Sequence, residues 1–320
     1  MRDELALQAL RHAQDDHLTR AQVLECGGTD EWIEAQIAGG RWVRVARKVF
    51  RTTTGVPTRR QRERAALLCA GPAAALSHHS AARRWGLQLP EDGPVHITVP
   101  YGHSSDPHPG VTLHRSRAFD RIVVDTGDMP TVSAADTCVD LAVLPDDARA
   151  AMRAVLHAAL GMKVDAGRLR AVLGVRRPRR YVSVLRHAAR LLDEGVTSML
   201  EALYAVDVEA AHGIPAGERQ FPVMVEGRQR FEDIRYALPG GDLITRLDGF
   251  RWHSGRHVAV VDRARDNAAE LAGRARLTFG WDEVHGDACA VAATQMTRMR
   301  QLGWDGPTED TDVCRCLRAA

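Results

Sequence analysis

Short amphipathic segments fill the start of the chain. The spacing of their apolar residues and the positions of capping residues predict three helices. These helices cover 4–14, 20–25 and 30–38. Thr19 and Thr29 precede the second and third helix as N-caps, and a glycine pair ends each of them. The β-branched and aromatic residues of 42–51 predict two short strands. Three short helices followed by a hairpin is the layout of a winged helix-turn-helix.

Helix and strand patterns alternate in the middle of the chain. One helix begins at Ser77–Ala82 and another covers Ser133–Leu144. The polar residues 102–110 predict a loop between two strands. The strands are Val95–Val99 and Val111–His114, and two further helices cover Ala148–Leu173. We therefore predict a mixed α/β middle region.

Two adjacent histidines, His78 and His79, lie in the first helix of this middle region. Neighbouring residues on an α-helix point about 100° apart, so these two side chains cannot form a bidentate clamp on one metal ion. We therefore predict that both histidines serve in capping and packing.

From Tyr181 onwards the pattern is two helices, three strands, a helix, a strand and a final helix. The second helix begins at 197–201, and a turn at Gly227 joins the first two strands. The strands are Phe221–Val225, Arg230–Tyr236, Asp242–Leu247 and Arg276–Trp281. The helix before the last strand contains 262–267, and the final helix covers Asp287–Leu302. This order predicts a C-terminal domain that combines strands and helices.

The length of 320 residues exceeds what one ordinary core fills, and it favours two or three domains. Proline at 178 interrupts the helical pattern, so Arg176–Arg180 is predicted to be a linker. The fold class is a multidomain α+β or α/β protein. We predict a winged helix-turn-helix over 1–70, an α/β middle domain over 71–175, a third domain over 181–305 and a tail over 306–320.

The composition, with 45% hydrophobic and 26% charged residues, excludes a disordered or fibrous protein. Residues 1–16 are charged and have no apolar core of a signal peptide, and Gly71 and Pro72 break the longest apolar stretch. The six cysteines are scattered without zinc-site spacing. These features predict a cytoplasmic, reduced protein without a membrane partner. Cys314 and Cys316 either bind a metal or oxidise together, or belong to a frayed terminus.

The net charge of +2 conceals a strong segregation of charge. Residues 1–40 hold three basic and eight acidic side chains, whereas residues 41–64 hold nine basic and one acidic. A second basic segment, 166–190, has eight arginines and no acid. Because cationic segments neutralise phosphates, we predict DNA contact at Arg41, Arg44, Arg47, Lys48, Arg51, Arg176, Arg177, Arg179 and Arg180. A solvated charged surface is the alternative. The third helix begins with Asp30 and Glu31, so the wing is expected to dominate DNA contact, unless the module contacts protein instead.

Carboxylates recur along two predicted strands of the C-terminal domain. Strand alternation allows Asp233 and Asp248 to converge, with His253 just beyond and Glu201 reaching them from the preceding helix. Converging carboxylates and a histidine suit a divalent metal that orients water against a phosphodiester. The histidine would act as general acid or base. In the alternative interpretation, Asp248 only forms a turn with Gly249 and Asp233 pairs with an arginine.

The stretch from about Gly195 to Trp304 resembles bacterial proteins related to very short patch repair endonucleases, within the restriction-endonuclease-like superfamily. The matching residues are Ser198, Glu201, Gln220, Arg230, Asp233, Asp248-Gly249, Trp252-His253, Asp262-Arg263, Arg265 and Asn267. The resemblance implies a mixed sheet flanked by helices and DNA cleavage that depends on Mg²⁺ or Mn²⁺. Asp233 would be a metal ligand, Asp248 a second acidic group and His253 the acid or base.

Arg246 departs from the pattern of these relatives, which usually carry an acidic residue two positions before the Asp-Gly pair. Strand alternation places Arg246 on the same face as Asp248. A guanidinium there repels Mg²⁺ and neutralises the aspartates, which predicts weakened metal binding and cleavage.

The first 145 residues resemble the AbiEi-like antitoxins of type IV toxin–antitoxin systems. The matching segments are Arg44–Phe50, Leu76–Ala82 and Val132–Ala142. The resemblance implies a winged helix that binds DNA and represses its own operon, a second domain, and a cognate toxin as partner. The function is then that of an endonuclease-like DNA-binding protein or of an antitoxin-like regulator with a silent nuclease fold. A third alternative makes both halves protein-interaction modules.

Overall fold

The computed structural model describes residues 2–104, 109–176, 178–225, 228–248, 275–306 and residue 314. The chain divides into two units. Unit 1 comprises Met1–Leu144, Gly161–Val164 and Gly174–Pro178, and unit 2 comprises Pro145–Leu160, Asp165–Leu173 and Arg179–Ala320. The sequence-predicted boundary between 1–70 and 71–175 therefore falls inside unit 1. Helices and several sheets make this a mixed α/β protein.

The first segment of unit 1 contains three helices and a three-stranded sheet. Its elements are α1 (Glu4–Ala13), β1 (His17–Thr19), α2 (Arg20–Glu25), α3 (Asp30–Ala38), β2 (Val43–Ala46) and β3 (Val49–Arg51). The sheet order is β1-β3-β2, with both pairs antiparallel. The side chains of Thr19 and Thr29 accept the Gln22 and Trp32 N–H groups, which confirms both predicted caps. The three predicted helices and the hairpin are confirmed, and β1 is an addition.

The remainder of unit 1 surrounds a five-stranded mixed sheet of order β6-β5-β4-β8-β7. Its elements are α4 (Arg59–Ala70), β4 (Ala75–Leu76), α5 (His78–Arg84), β5 (Val95–Pro100), β6 (Val111–Ser116), α6 (Phe119–Ile122), β7 (Val123–Val124), β8 (Thr131–Val132) and α7 (Ala134–Ala142). β5 and β6 are parallel and pair in register, with Thr98 opposite His114. Helix α5 packs against α7 and against β5.

Unit 2 contains a four-stranded sheet of order β12-β11-β10-β9. Its helices are α8 (Ala148–Gly161) and α9 (Ala166–Val175) in large part, α10 (Val182–Asp193), α11 (Met199–Leu203), a π-helix (Tyr204–Ala210), α12 (Trp281–Gly286) and α13 (Ala288–Gln301). Its strands are β9 (Glu218–Val225), β10 (Arg228–Leu238), β11 (Gly241–Asp248) and β12 (Ala275–Gly280). The first three strands are antiparallel and β12 runs parallel to β11. The helix predicted around 262–267 lies outside the described residues.

A buried polar cluster ties the π-helix to the sheet of unit 2. Glu209 forms an ion pair with Arg219, and both side chains are almost fully buried. The Tyr236 hydroxyl donates to Glu209 Oε1 at 2.6 Å, and the Gly217 N–H donates to the same oxygen at 3.1 Å. A buried ion pair requires such additional hydrogen bonds to offset the loss of water.

Within the described residues, no helix combines the length and the apolar character needed to cross a membrane.

Candidate functional site

Asp233 lies where β10 departs from regular pairing with β11. The last regular pair at this end of the two strands is Ile234 with Thr245. Beyond it, the backbone N–H of Leu247 donates to Asp233 Oδ2 at 2.9 Å. Burial raises the pKa of the Asp233 carboxyl, this N–H lowers it, and the nearby Glu201 raises it again. The charge of Glu201 is therefore close enough to Asp233 to raise the pKa of its carboxyl.

Arg246 forms a buried ion pair with Glu232, a residue that the sequence interpretation did not include. Its Nε and Nη2 atoms each donate to Glu232 Oε2 at 3.0 Å, and Nη2 also donates to Oε1 at 3.2 Å. A regular ladder through Ile234 and Thr245 would place Glu232 and Arg246 on opposite faces of the sheet. Their contact therefore depends on the same irregularity that directs the Leu247 N–H to Asp233.

Glu201 caps the N-terminus of α11. Its carboxylate accepts the Thr197 N–H at 2.9 Å and the Ser198 hydroxyl at 3.0 Å, while Ser198 Oγ accepts the Glu201 N–H. These bonds satisfy amide groups at the start of the helix. The hydrogen bonds of Glu201 thus serve a local structural role at the start of this helix.

Asp248 is exposed at the end of β11, where it pairs with Gly280 of β12. Asp233, Asp248 and Glu201 are not among the described sets of three side chains whose ligand atoms all lie within 4.8 Å of one another. His253, the predicted acid or base, lies outside the described residues. The described part of the acidic site is therefore a pair of neighbouring carboxylates, Asp233 and Glu201, beside the ion pair of Arg246.

The predicted DNA contacts near the hairpin differ in their exposure. Arg41, Arg44, Arg47 and Lys48 are exposed, and Arg44 is paired with Glu34 of α3. The side chain of Arg51, in contrast, is buried, and it donates to the carbonyls that follow β3, those of residues 53 and 55. Arg51 holds its own loop in place and is not presented to DNA.

Other arginines of the basic segment 41–64 are neutralised inside unit 1. Arg60 donates to both carboxylate oxygens of Asp128 at 2.6 and 2.7 Å and to Asp15. Arg64 also pairs with both aspartates, and Arg84 reaches Asp128 at 2.6 Å. The bonds from Arg60 hold the pKa of Asp128 well below its usual range. The charge of this segment therefore overstates the cationic surface that is open to phosphates.

The second predicted basic surface is also divided. Arg176 forms ion pairs with Asp136 and Asp140 inside unit 1, so its charge is neutralised internally. Arg177 lies outside the described residues. Arg179 and Arg180 are exposed and belong to unit 2. Of this predicted group, Arg179 and Arg180 keep positions at the surface.

A cluster of three histidines in unit 1 was missed by the sequence interpretation. His78 at the start of α5, His96 on β5 and His114 on β6 place their ligand nitrogens within 4.8 Å of one another. The two strand residues share one face of the sheet because Thr98 pairs with His114. The adjacency of His78 and His79 concealed this cluster, since the partners of His78 come from distant strands. Each of these two strands carries one histidine among β-branched and apolar residues. This pattern was the signal in the sequence that could have indicated the cluster.

A second group of side chains with metal-ligand chemistry lies in unit 2. His212, Cys289 and Cys314 also place their ligand atoms within 4.8 Å of one another. The two sulfur atoms are 3.7 Å apart, and the Cys314 N–H donates to the Ala211 carbonyl. The sequence singled out Cys314 together with Cys316, and the latter lies outside the described residues.

No protein-family model matches this chain, and no curated protein is significantly similar to it.

Proposed function

We propose that this chain is a DNA-binding regulator whose C-terminal domain has a restriction-endonuclease-like fold but does not cleave DNA. The buried ion pair of Arg246 and Glu232 beside Asp233 is the observation that carries this choice. DNA is the partner of the N-terminal winged helix in this proposal. Following the resemblance to AbiEi-like antitoxins, a cognate toxin or another product of the same operon is the second partner.

The element order at the start of the chain supports DNA binding. The segment has the order helix, strand, two helices and two strands, with sheet order β1-β3-β2, and this order supports the proposed winged helix. Arg47 and Lys48 lie exposed at the turn between β2 and β3, which would be the tip of the wing. Asp30 and Glu34 make α3 acidic, and carboxylates read only the cytosine amino group in the major groove. We therefore assign most phosphate contacts to the wing.

The surroundings of Asp233 support a silent nuclease fold. Mg²⁺ is held by carboxylates and disfavours a fixed cation beside it. Arg246 stands where the resembling endonucleases carry an acidic residue, and Glu232 is engaged by its guanidinium. Arginine stays charged at every physiological pH, so the repulsion is permanent.

A metal-dependent endonuclease is the second candidate function, and the position of Asp233 favours it. Burial and the neighbouring Glu201 raise the pKa of this carboxyl, which is the environment that a divalent cation would relieve. In that case Asp233 and Asp248 would hold Mg²⁺ or Mn²⁺, and His253 would move the proton.

DNA binding is tested by fluorescence anisotropy of a labelled duplex at increasing salt concentration. We expect Arg47→Gln/Lys48→Gln to weaken binding and to reduce the slope of log affinity against log salt by about 1.8, because two phosphate contacts are lost. The matched control is Arg117→Gln/Arg121→Gln, which removes the same charge from exposed positions near α6. Equal effects of the two double variants, or no binding by the wild type, would reject the wing as the contact surface.

The choice between the two candidates is tested by calorimetric titration with Mn²⁺. We expect no binding of Mn²⁺ at the acidic site of the wild type. In Arg246→Glu/Glu232→Gln, a carboxylate replaces the guanidinium at 246, and the charge of Glu232, which would lose its partner, is removed. We expect this double variant to bind Mn²⁺. Asp233→Ala in that background is expected to abolish the gain. Wild-type binding of Mn²⁺ that disappears in Asp233→Ala alone would favour the endonuclease.

A further inference from the structure

We propose that His78, His96 and His114 form a binding site for a transition-metal ion, with zinc as the ion that suits them best. The three ligand nitrogens lie within 4.8 Å of one another, and His96 Nδ1 is 3.0 Å from His114 Nε2. Tetrahedral zinc binds imidazole nitrogen at about 2.0–2.1 Å, which sets the ligand nitrogens roughly 3.3 Å apart. The rings of His78 and His114 are stacked, with their centroids 3.5 Å apart, so one of these two rings must rotate before both nitrogens face the same ion.

The ligands are held by three different elements of unit 1. His96 and His114 stand on neighbouring parallel strands in fixed register. His78 begins α5 with a positive φ of 47°, and its Nδ1 is 3.0 Å from the Ser77 hydroxyl. This contact orients the ring and leaves Nε2 for the ion. Ligands fixed on strands and on a helix end are organised before the metal arrives.

A buried carboxylate completes the surroundings of His78. Asp140 Oδ1 pairs with Arg176, but Oδ2 is buried and has no hydrogen-bond partner among the described residues. This oxygen lies 3.9 Å from His78 Nδ1. A carboxylate that accepts a hydrogen bond from the second nitrogen of a ligating histidine is a common outer-shell partner of zinc. When His78 binds the ion through Nε2, its Nδ1–H has to turn from the Ser77 hydroxyl towards Asp140 Oδ2 to give this oxygen the donor that it lacks.

The chemistry of the cluster selects the class of ion. Burial lowers the pKa of His78 to about 3 and the pKa of His96 and of His114 to about 4, so all three rings are neutral at pH 7. Neutral imidazole is the form that binds zinc, copper or nickel, whereas Mg²⁺ and Mn²⁺ prefer oxygen ligands. This site is therefore distinct in ion type from the acidic residues of unit 2, and it does not depend on the proposed function. Three protein ligands leave a fourth position on zinc for water or another ligand.

The test uses the full-length chain without a histidine tag and in a Cys289→Ser/Cys314→Ser background, which leaves His212 as the only side chain of the second group that can ligate a metal. Co²⁺ is added as a spectroscopic probe, because tetrahedral nitrogen-ligated cobalt absorbs strongly in the visible range. Zinc bound after desalting is then measured by mass spectrometry. We expect one equivalent of zinc and a visible cobalt spectrum for this background protein. If this protein, with the three histidines intact, shows neither bound zinc nor a visible cobalt spectrum, the proposal is overturned.

Matched substitutions then locate the site. We expect His96→Gln and His114→Gln to lose the cobalt spectrum and the bound zinc, while His79→Gln retains both because its side chain is not among the three ligands. Thermal unfolding without metal identifies a variant that fails to fold. X-ray absorption of the background protein supplies the count of imidazole ligands independently. Unchanged metal binding in folded His114→Gln, or fewer than three imidazoles around zinc, would reject this ligand set.

Discussion

Replacing Arg246 by methionine removes the guanidinium but retains most of the side-chain volume. The side chains of Arg246 and Glu232 are only 10% and 5% exposed, and two of their N···O distances are 3.0 Å. Removal of one partner of a buried ion pair costs about 3–5 kcal/mol because the other charge stays buried, whereas apolar replacement of both is often close to neutral. We expect Arg246→Met and Glu232→Met each to destabilise unit 2 by about 3 kcal/mol, and the double variant to cost no more than either single one.

The assay is urea-dependent hydrogen exchange of the full chain, followed in peptides from β10 and β11 so that unit 2 is measured separately. The double-mutant cycle should give a coupling free energy of about 3 kcal/mol. Arg235 and Asp242 form the matched control, since they also pair β10 with β11 but are about one-quarter exposed, and we expect their coupling to stay below about 1 kcal/mol. Additive costs of Arg246→Met and Glu232→Met would refute the idea that this pair neutralises the site.

Three further predictions concern groups that the structure places in buried or paired positions. Asp128→Asn should flatten the dependence of unit 1 stability on acid pH. The depressed pKa of Asp128 stabilises the folded state above the unfolded-state pKa of about 3.9, and this contribution is lost as the pH falls towards the folded-state pKa. Urea midpoints from pH 6 to pH 3 measure the effect, and the exposed Asp120→Asn is the control. Glu209→Gln should lower the free energy of unfolding of unit 2 by about 3 kcal/mol, because Arg219 is left buried without its counter-charge, and an unchanged urea midpoint would contradict this. Arg51→Met should lower the thermal stability of unit 1 without changing the salt slope of DNA binding, since its guanidinium serves backbone carbonyls; a reduced slope would show that it contacts phosphate.

Local signals in the sequence were sufficient for much of the secondary structure. The caps at Thr19 and Thr29, the glycine pairs and the β-branched hairpin predicted the first segment because each depends on neighbouring residues. The paired strands of unit 2 followed from alternation in the same way. The short strand β1 was missed because three residues carry too little periodicity to be recognised.

Long-range contacts explain what the sequence did not predict about the candidate sites. Arg60 meets Asp128 across 68 positions, so counting charge by segment could not show that this arginine is neutralised. His78 meets His96 and His114 only through the order of strands in the sheet. The contact of Arg246 with Glu232 requires a break in strand alternation, and a pattern read with a strict period of two excludes it.

A plasmid assay on one wild-type preparation tests the proposed function most directly. Supercoiled DNA is incubated with the protein and Mn²⁺, and both retention and strand breaks are followed by electrophoresis. We expect DNA to be retained in a salt-sensitive manner and the plasmid to stay supercoiled. Nicking by the wild type that Asp233→Ala abolishes, or failure to retain DNA at low salt, would contradict a DNA-binding protein with a silent nuclease fold.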